Sequence, residues 1–372
     1  MEGSYSNTAF PVAPYIPQFD GLRGVSILAV FAAHSEFLRA LPHAHFLEYG
    51  RVGVDLFFVL SGFLITGILI DTRALPHYFR NFYARRALRI SPLYYLILTF
   101  LLLVTVRSES FISQQSGPVW PYFYLYLQNL QPHLPIPYGL EPTWSLAIEE
   151  QFYLTWPLLV LLLKKRSLAI ILVCASLFSL MLRILGYQHG ASLKFVHNFT
   201  LCRLDAIAFG CLAAIWLRSR WCTKALWRRY SALFLLVGGM GVVVARMLFH
   251  QQSTVISYTF IAMGFTGVLG MALTSDTENT PLGRLLAAHW LRYMGKVSYG
   301  LYLVHMPIFL AVTAVAHNRA FVSNSAVLNN LAGVAIEVLS AFLLASFSWR
   351  FLEMPILRLK SYFAANSEHP NK

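Results

Sequence analysis

The sequence has few charged residues for its length. Asp, Glu, Lys and Arg together make up 12% of its 372 residues, whereas hydrophobic residues make up 57%. A soluble domain carries about twice that share of charge, because its surface faces water. The composition therefore excludes an ordinary soluble protein and predicts an integral membrane protein.

Cysteine is also scarce. The four cysteines, Cys174, Cys202, Cys211 and Cys222, are scattered in or beside apolar stretches, and no two of them have CxxC spacing. This spacing excludes a disulfide framework and a zinc site of the usual kind. We expect buried thiols and no metal cofactor.

Long apolar runs account for most of the chain. Ten of them can cross about 30 Å of hydrocarbon as helices. They are residues 22–41, 50–71, 90–107, 144–163, 167–187, 201–218, 230–250, 255–274, 297–316 and 328–352. The sequence predicts an all-α integral membrane protein with about ten transmembrane helices, without an internal repeat.

These runs also divide the chain. We assign residues 1–21 to a cytoplasmic N-terminal segment, 22–360 to the transmembrane domain and 361–372 to a cytoplasmic tail. The N-terminal segment lacks a basic region and a small-residue cleavage site, so the first run is expected to be a retained span rather than a signal peptide.

The net charge of +13 has an uneven distribution. Basic residues cluster after the second, fourth, sixth and eighth runs and in the tail. Examples are Arg73, Arg80, Lys164, Lys165, Arg166, Arg218, Arg220, Lys224, Arg284, Arg292, Lys296, Arg358, Lys360 and Lys372. The positive-inside rule places these regions and both termini in the cytoplasm. Membrane topology thus accounts for the positive charge, and no nucleic-acid partner is expected.

The first apolar run contains Arg23 and His34. Eleven helical residues advance about 16 Å and complete nearly three turns, so both side chains share one helix face. Arg23 is expected at a water interface and His34 near the middle of the bilayer, where an ionisable group is costly and usually functional. The alternative is a buried histidine bonded to a neighbouring helix.

Two carboxylates are predicted at the depth of His34. Asp55 and Glu149 each lie about one and a half turns below the outer surface, in the second and fourth runs. A carboxylate beside an imidazole holds it in one tautomer and raises its basicity. Asp55 has a purely structural bond as its alternative, and Glu150 remains an alternative to Glu149.

An anion site is predicted on the cytoplasmic side. Arg86 and Arg89 are three residues apart and share a helix face, as a phosphate clamp requires. Arg23 reaches the same level from the first helix. The positive-inside rule alone is the competing explanation for these arginines.

Other polar residues have simpler predicted roles. We expect Arg203 and Asp205 to form a local ion pair or to line the acceptor entrance, and His305 to line a pocket rather than act as a second base. The aromatic-rich segment 108–143 is expected to lie along the outer interface, as an aromatic belt or as a platform for sugar rings. Gly53, Ser61 and Gly62 are expected to let helices approach closely.

Several motifs occur in an order typical of a known family. They are FDGLRG followed by AAH, GVDLFFVLSGFLI, ARRALRISPLYY, WSLAIEEQFY, RLDAIAFG, VSYGLYLVH and FLEMP. Together they resemble membrane acyltransferase family three, over residues 16 to 360. The family's arginine-ten-histidine motif falls on Arg23 and His34, and its paired-arginine motif falls on Arg86 and Arg89.

The resemblance implies a bacterial inner-membrane O-acyltransferase. Such an enzyme moves an acyl group, usually acetyl, from cytoplasmic acyl-CoA to a glycan hydroxyl. The acceptors that stay open include lipopolysaccharide, exopolysaccharide, peptidoglycan, a lipid-linked sugar and a small molecule. Some members carry a further C-terminal esterase-like domain. We expect no such domain here, since the sequence ends at Lys372.

The resemblance also assigns roles to residues. His34 is expected to be the general base or the nucleophile, with Asp55 or Glu149 orienting it. Arg23, Arg86 and Arg89 are expected to hold the phosphates of acyl-CoA. A secondary transporter is the alternative function, since charges within the membrane also mark transport pathways. The oligomeric state is not predicted.

Overall fold

The computed structural model describes residues 15–107, 119–131, 136–137, 139–249, 252–318 and 325–363. Regular structure within these ranges is entirely helical. Residues 1–14, residues 364–372 and much of the predicted external segment (108–118, 132–135 and 138) lie outside the described residues.

A long helix occupies the position of each predicted span. These helices are α1 Pro17–His34, α2 Gly53–Thr72, α3 Tyr78–Arg107, α4 Trp144–Leu162, α5 Lys165–Gln188, α6 Leu204–Leu217, α7 Lys224–Phe249, α8 Ser253–Thr274, α9 His289–Asn318 and α10 Ala326–Ser348. In the described ranges, seven of them (α2, α3, α5 and α7 to α10) are long and apolar enough to cross a membrane. The protein is therefore a multi-pass α-helical membrane protein, while ten spans and cytoplasmic termini stay predictions.

The other three of these ten helices are α1, α4 and α6. Helix α1 contains Asp20, Arg23 and His34, and α4 contains Glu149 and Glu150. Helix α6 has only 14 residues. Ionisable groups lower the hydropathy of a helix and are costly in lipid, so their retention in α1 and α4 indicates a function for them.

The boundaries of the first helix correct the prediction. Helix α1 ends at His34 instead of continuing to residue 41, so His34 is its last residue rather than the middle of a span. The next residue, Ser35, has an extended backbone and caps a short helix, Glu36–Arg39, by accepting a hydrogen bond from the Leu38 amide (3.2 Å). A serine side chain competes in this way with helix continuation.

The chain forms two compact units. The first comprises residues 1–30, 52–70 and 152–296, and the second comprises residues 31–51, 71–151 and 297–372. In the first unit, α2 and α6 approach backbone to backbone: a Cβ atom added to Gly62 would lie 2.1 Å from the carbonyl oxygen of Ile207. One added to Gly210 would lie 2.1 Å from that of Val59. The predicted packing role of Gly62 is confirmed.

In the second unit, the segment before α4 packs against α3. The Tyr94 hydroxyl donates to the carbonyl oxygen of Phe123 (2.8 Å), and the Tyr95 hydroxyl donates to that of Tyr124 (3.1 Å). The Tyr124 and Tyr126 rings stack on those of Tyr95 and Tyr94. One face of each of these two predicted platform rings is therefore already covered by protein.

Candidate functional site

The predicted site residues are divided between the two units. Arg23 and Asp55 belong to the first, whereas His34, Arg86, Arg89 and Glu149 belong to the second. The predicted grouping of Asp55 with His34 and Glu149, and of Arg23 with Arg86 and Arg89, therefore stays a prediction. Within each unit, however, the structure gives these side chains definite neighbours.

His34 lies beside a second histidine of the same unit. Its ring centroid is 5.2 Å from that of His305, which is fully buried in α9. Phe31 stacks on the His305 ring at 5.4 Å, and Phe309 packs edge-on at 5.7 Å. The Nδ1 atom of His305 is 2.7 Å from the carbonyl oxygen of Tyr302. The end of α1 thus places an imidazole against a buried aromatic and imidazole cluster.

A buried carboxylate accepts a hydrogen bond from Ser35, the residue that follows His34 in the sequence. The Ser35 hydroxyl donates a short hydrogen bond to Oε2 of Glu337, and both residues are buried. Glu337 was not among the predicted site residues. Its signal was present, because it is the sole acidic residue in the apolar helix α10, and such residues mark functional positions.

Glu149 and Glu150 have different surroundings. Glu149 acts electrostatically on Tyr302, the residue whose carbonyl group holds His305. Glu150 instead acts on Tyr126 and is itself acted on by Arg86. Glu149 and Glu150 also act on each other, and of the two it is Glu149 that acts on Tyr302, a neighbour of His305.

Arg86 and Arg89 belong to a larger basic cluster in the second unit. Both are half-buried in α3, while the neighbouring Arg85 is exposed. Lys360, in the turn Leu359–Phe363 that packs against α3, is under the electrostatic influence of all three arginines. Lys360 was not predicted to lie near these arginines, because only tertiary packing brings it to α3.

Asp55 is bound to an arginine of another helix. Its carboxylate accepts a short hydrogen bond from Arg203, and both side chains are buried in the first unit. The Arg203 guanidinium also lies over the Tyr258 ring, 3.8 Å from its centroid. A buried charge must be paired, so this contact supports the structural alternative for Asp55. Its orientation of His34 stays a prediction.

Asp205 has a different arginine as its partner. Nη2 of Arg183 lies 2.8 Å from Oδ2 of Asp205, and the Thr259 hydroxyl donates to the same oxygen (2.7 Å). The expected local pair between Arg203 and Asp205 is thus replaced by two pairs between helices. Arg183 was not predicted as a partner, although it is the one basic residue of helix α5 beyond the first turn.

Arg23 is also paired within its own helix. Its Nη1 atom lies 2.8 Å from Oδ1 of Asp20, and the Tyr15 hydroxyl donates to the other oxygen (2.7 Å). Burial and this hydrogen bond to Asp20 raise the pKa of Tyr15, so the phenol stays neutral and able to donate. A phosphate reaching Arg23 would compete with the Asp20 carboxylate.

Metal binding is not supported by the geometry. Within the described ranges, no three His, Cys, Asp or Glu side chains are grouped so as to hold a metal ion. A metal-free reaction stays a prediction.

The fold and the site define a class of protein: a multi-pass α-helical membrane protein with ionisable residues built into its helices. The chain belongs to acyltransferase family three, since the family model, described as an acyltransferase domain, matches residues 16–349. The resemblance inferred from the motifs is confirmed.

Curated relatives are similar over most of this chain. The peptidoglycan O-acetyltransferase OatA of Listeria monocytogenes is 29% identical over 92% of the chain and 56% of its own length. The putative peptidoglycan O-acetyltransferase YrhL of Bacillus subtilis is 30% identical over 92% and 55%, and the O-acetyltransferase OatA of Staphylococcus aureus is 29% identical over 92% and 57%. The chain spans about half the length of these relatives. No solved structure matches it.

Proposed function

We propose that the chain is an O-acyltransferase of the bacterial inner membrane, which moves an acetyl group from cytoplasmic acetyl-CoA to a hydroxyl of a cell-envelope glycan. The match of the acyltransferase model over residues 16–349 is the observation that carries this proposal. The placement of His34 beside His305 supports it, because transfer to a hydroxyl needs a group that takes up its proton.

His34 is the proposed catalytic base. Its ring nitrogen takes the proton of the acceptor hydroxyl while the hydroxyl oxygen forms a bond to the carbonyl carbon of the thioester. The bond from carbon to sulfur then breaks, and the CoA thiolate takes the proton from the histidine cation. A direct attack by the imidazole, followed by transfer from an acylated histidine, is the other route. Glu149 is proposed to stabilise the histidine cation.

The basic cluster of α3 is the proposed donor site. Arg86 and Arg89 present forked guanidinium groups to the CoA phosphates, and Lys360 and exposed Arg85 belong to the same cluster. Arg23 joins them if the phosphate displaces Asp20 from its guanidinium group. This side of the protein is proposed to face the cytoplasm, in accordance with the positive-inside rule.

Peptidoglycan is the proposed acceptor class. The names of the Listeria and Bacillus relatives specify that substrate, and the chain matches both over 92% of its length. The half-buried rings that precede α4, such as those of Trp120 and Tyr122, are proposed to stack against sugar rings. A lipid-linked precursor and other surface polysaccharides are the competing acceptors.

Mass spectrometry of envelope glycans tests the proposal. Glycans from cells with and without the gene are digested and compared for ester-linked acetyl groups. We expect an additional mass of one acetyl group, removable by mild base, only where the gene is present. Identical glycan profiles would contradict the proposal, and an ester on a different polysaccharide would replace peptidoglycan as the acceptor.

A further inference from the structure

His305 has a buried nitrogen atom that lacks a hydrogen-bond partner. Its Nδ1 atom faces the carbonyl oxygen of Tyr302, at 2.7 Å. A carbonyl oxygen only accepts hydrogen bonds, so Nδ1 carries the proton and Nε2 carries the lone pair of the neutral ring. Nε2 is buried and has no partner among the described residues. Such an atom is unusual in a folded protein and calls for a donor.

The rings around His305 identify that donor. Four aromatic or imidazole rings contact it in the described structure, namely Phe31, His34, Tyr302 and Phe309. The two phenylalanines have no donor, and the Tyr302 hydroxyl donates to the carbonyl oxygen of Pro142. Of the four rings, His34 is therefore the one whose N–H group can donate to Nε2 of His305, directly or through one water molecule.

We propose that His305 is a positioning residue for His34, with Nε2 accepting the N–H group of the His34 ring. This inference rests on the proposed function of His34. A neutral imidazole with one N–H group held in this way keeps its lone pair on the opposite nitrogen. That nitrogen is then oriented toward the acceptor hydroxyl, and the hydrogen bond persists when His34 becomes a cation.

The rest of the cluster suits this role. Phe31 and Phe309 fix the plane of the His305 ring, and the Tyr302 carbonyl group fixes its tautomer. A protonated His305 would bury a charge with a donor at Nε2 and no acceptor, which is costly. His305 thus remains a neutral acceptor, unlike the carboxylate that usually orients a catalytic histidine.

Three substitutions at this position test the proposal. His305→Phe and His305→Leu remove the acceptor, whereas His305→Gln retains one in its side-chain oxygen. We expect the first two to lower kcat about 10- to 100-fold, the range seen for partners that orient functional histidines, with the KM of acetyl-CoA unchanged. His305→Gln should recover most of the lost kcat. Val297→Ala is the packing control, because Val297 is fully buried in the same helix but is not one of the rings around His305; it should lower thermal stability with little effect on kcat.

Other results with the same variants would contradict the positioning role of His305. Folded His305→Phe or His305→Leu protein with the turnover of the unmodified protein would overturn the role. So would His305→Gln protein as inactive as the other two, because that result means a packing role. If only the Gln variant folds, a loss of more than about tenfold in its kcat overturns the proposal.

The proposed function is separated from this inference by His34→Ala in the same assay. Transfer that survives His34→Ala would remove the role of His34 and with it the role of His305. Transfer lost in His34→Ala but unchanged in His305→Phe would overturn the positioning role alone.

Discussion

His34 ends helix α1, and its ring is half-buried rather than sealed from solvent. This exposure gives a substrate access to the imidazole. We expect His34→Ala to reduce transfer by about 100-fold or more, the contribution of a positioned base, while the protein accumulates normally in the membrane. Steady-state kinetics on purified protein measure the effect. His45, in the turn Ala44–Val52, is exposed and provides the control, because His45→Ala should retain full turnover.

Glu149 and Glu150 allow a paired prediction at the same scale. Glu149→Gln should lower kcat about 100-fold and leave the KM of acetyl-CoA unchanged, because Glu149 acts on Tyr302, a neighbour of His305. Glu150→Gln should mainly change the KM of acetyl-CoA, because Arg86 acts on Glu150. Kinetics with varied acetyl-CoA separate the two effects, and the reverse pattern would exchange the roles of the two carboxylates.

Single residues were predictable where a costly group stands out in an apolar run. His34, Asp55 and Glu149 were singled out in that way, and their catalytic roles stay predictions; Glu337 carried the same signal. Their partners were not predictable. The pairing of Asp55 with Arg203, and of Asp205 with Arg183, depends on how helices distant in sequence pack together.

The ion pair between Asp55 and Arg203 ties α2 to the start of α6 in the first unit. Asp55→Asn leaves a buried guanidinium group without its countercharge, which costs about 3–5 kcal/mol of unfolding free energy. We expect a clearly lower thermal midpoint for the purified protein in detergent. Adding Arg203→Gln should restore much of the loss, since the second charge is then removed too.

A surface carboxylate provides the control for this cycle. Glu278 is exposed in the same unit, and Glu278→Gln should leave the thermal midpoint unchanged. An Asp55→Asn protein with an unchanged thermal midpoint but no transfer activity would contradict the structural role. The main role of Asp55 would then be catalytic, as was predicted from the sequence.

At the level of elements, the positions of the long helices were predictable and their ends were not. A helix lies at each of the ten predicted apolar runs, but within the described ranges seven of these helices are long and apolar enough to cross a membrane, so the count of ten spans stays a prediction. The end of α1 at His34 was not predictable, because the neighbouring Ser35 contacts Glu337 of α10, which is distant in sequence. Helix α3 starts at Tyr78, well before the predicted residue 90, so that basic residues assigned to a loop lie on a helix.

The whole molecule is proposed to bind its two substrates from opposite sides. Arg89→Ala should raise the KM of acetyl-CoA about 10- to 150-fold, which corresponds to the loss of one charge-assisted contact of about 1.5–3 kcal/mol. Arg89→Lys should restore part of the affinity, because an ammonium group cannot hold a phosphate with two parallel bonds. The KM of the glycan acceptor should not change.

Arg85 is the matched control for Arg89. It has the same charge on the same helix but is exposed, so Arg85→Ala should affect the KM of acetyl-CoA much less. Equal effects of the two substitutions would mean a diffuse electrostatic attraction rather than a clamp. A loss of acceptor affinity in Arg89→Ala would contradict the two-sided arrangement.

Membrane vesicles of defined orientation test whether transfer depends on His34 and uses acetyl-CoA from the cytoplasmic side. Acetyl-CoA labelled in its acetyl group, which does not cross the bilayer, is added to inverted vesicles that expose the cytoplasmic face and to right-side-out vesicles. We expect base-labile labelling of the glycan only in inverted vesicles containing the unmodified protein, and none with His34→Ala. Equal labelling in right-side-out vesicles, labelling by His34→Ala, or no labelling by the unmodified protein in either orientation would contradict this expectation.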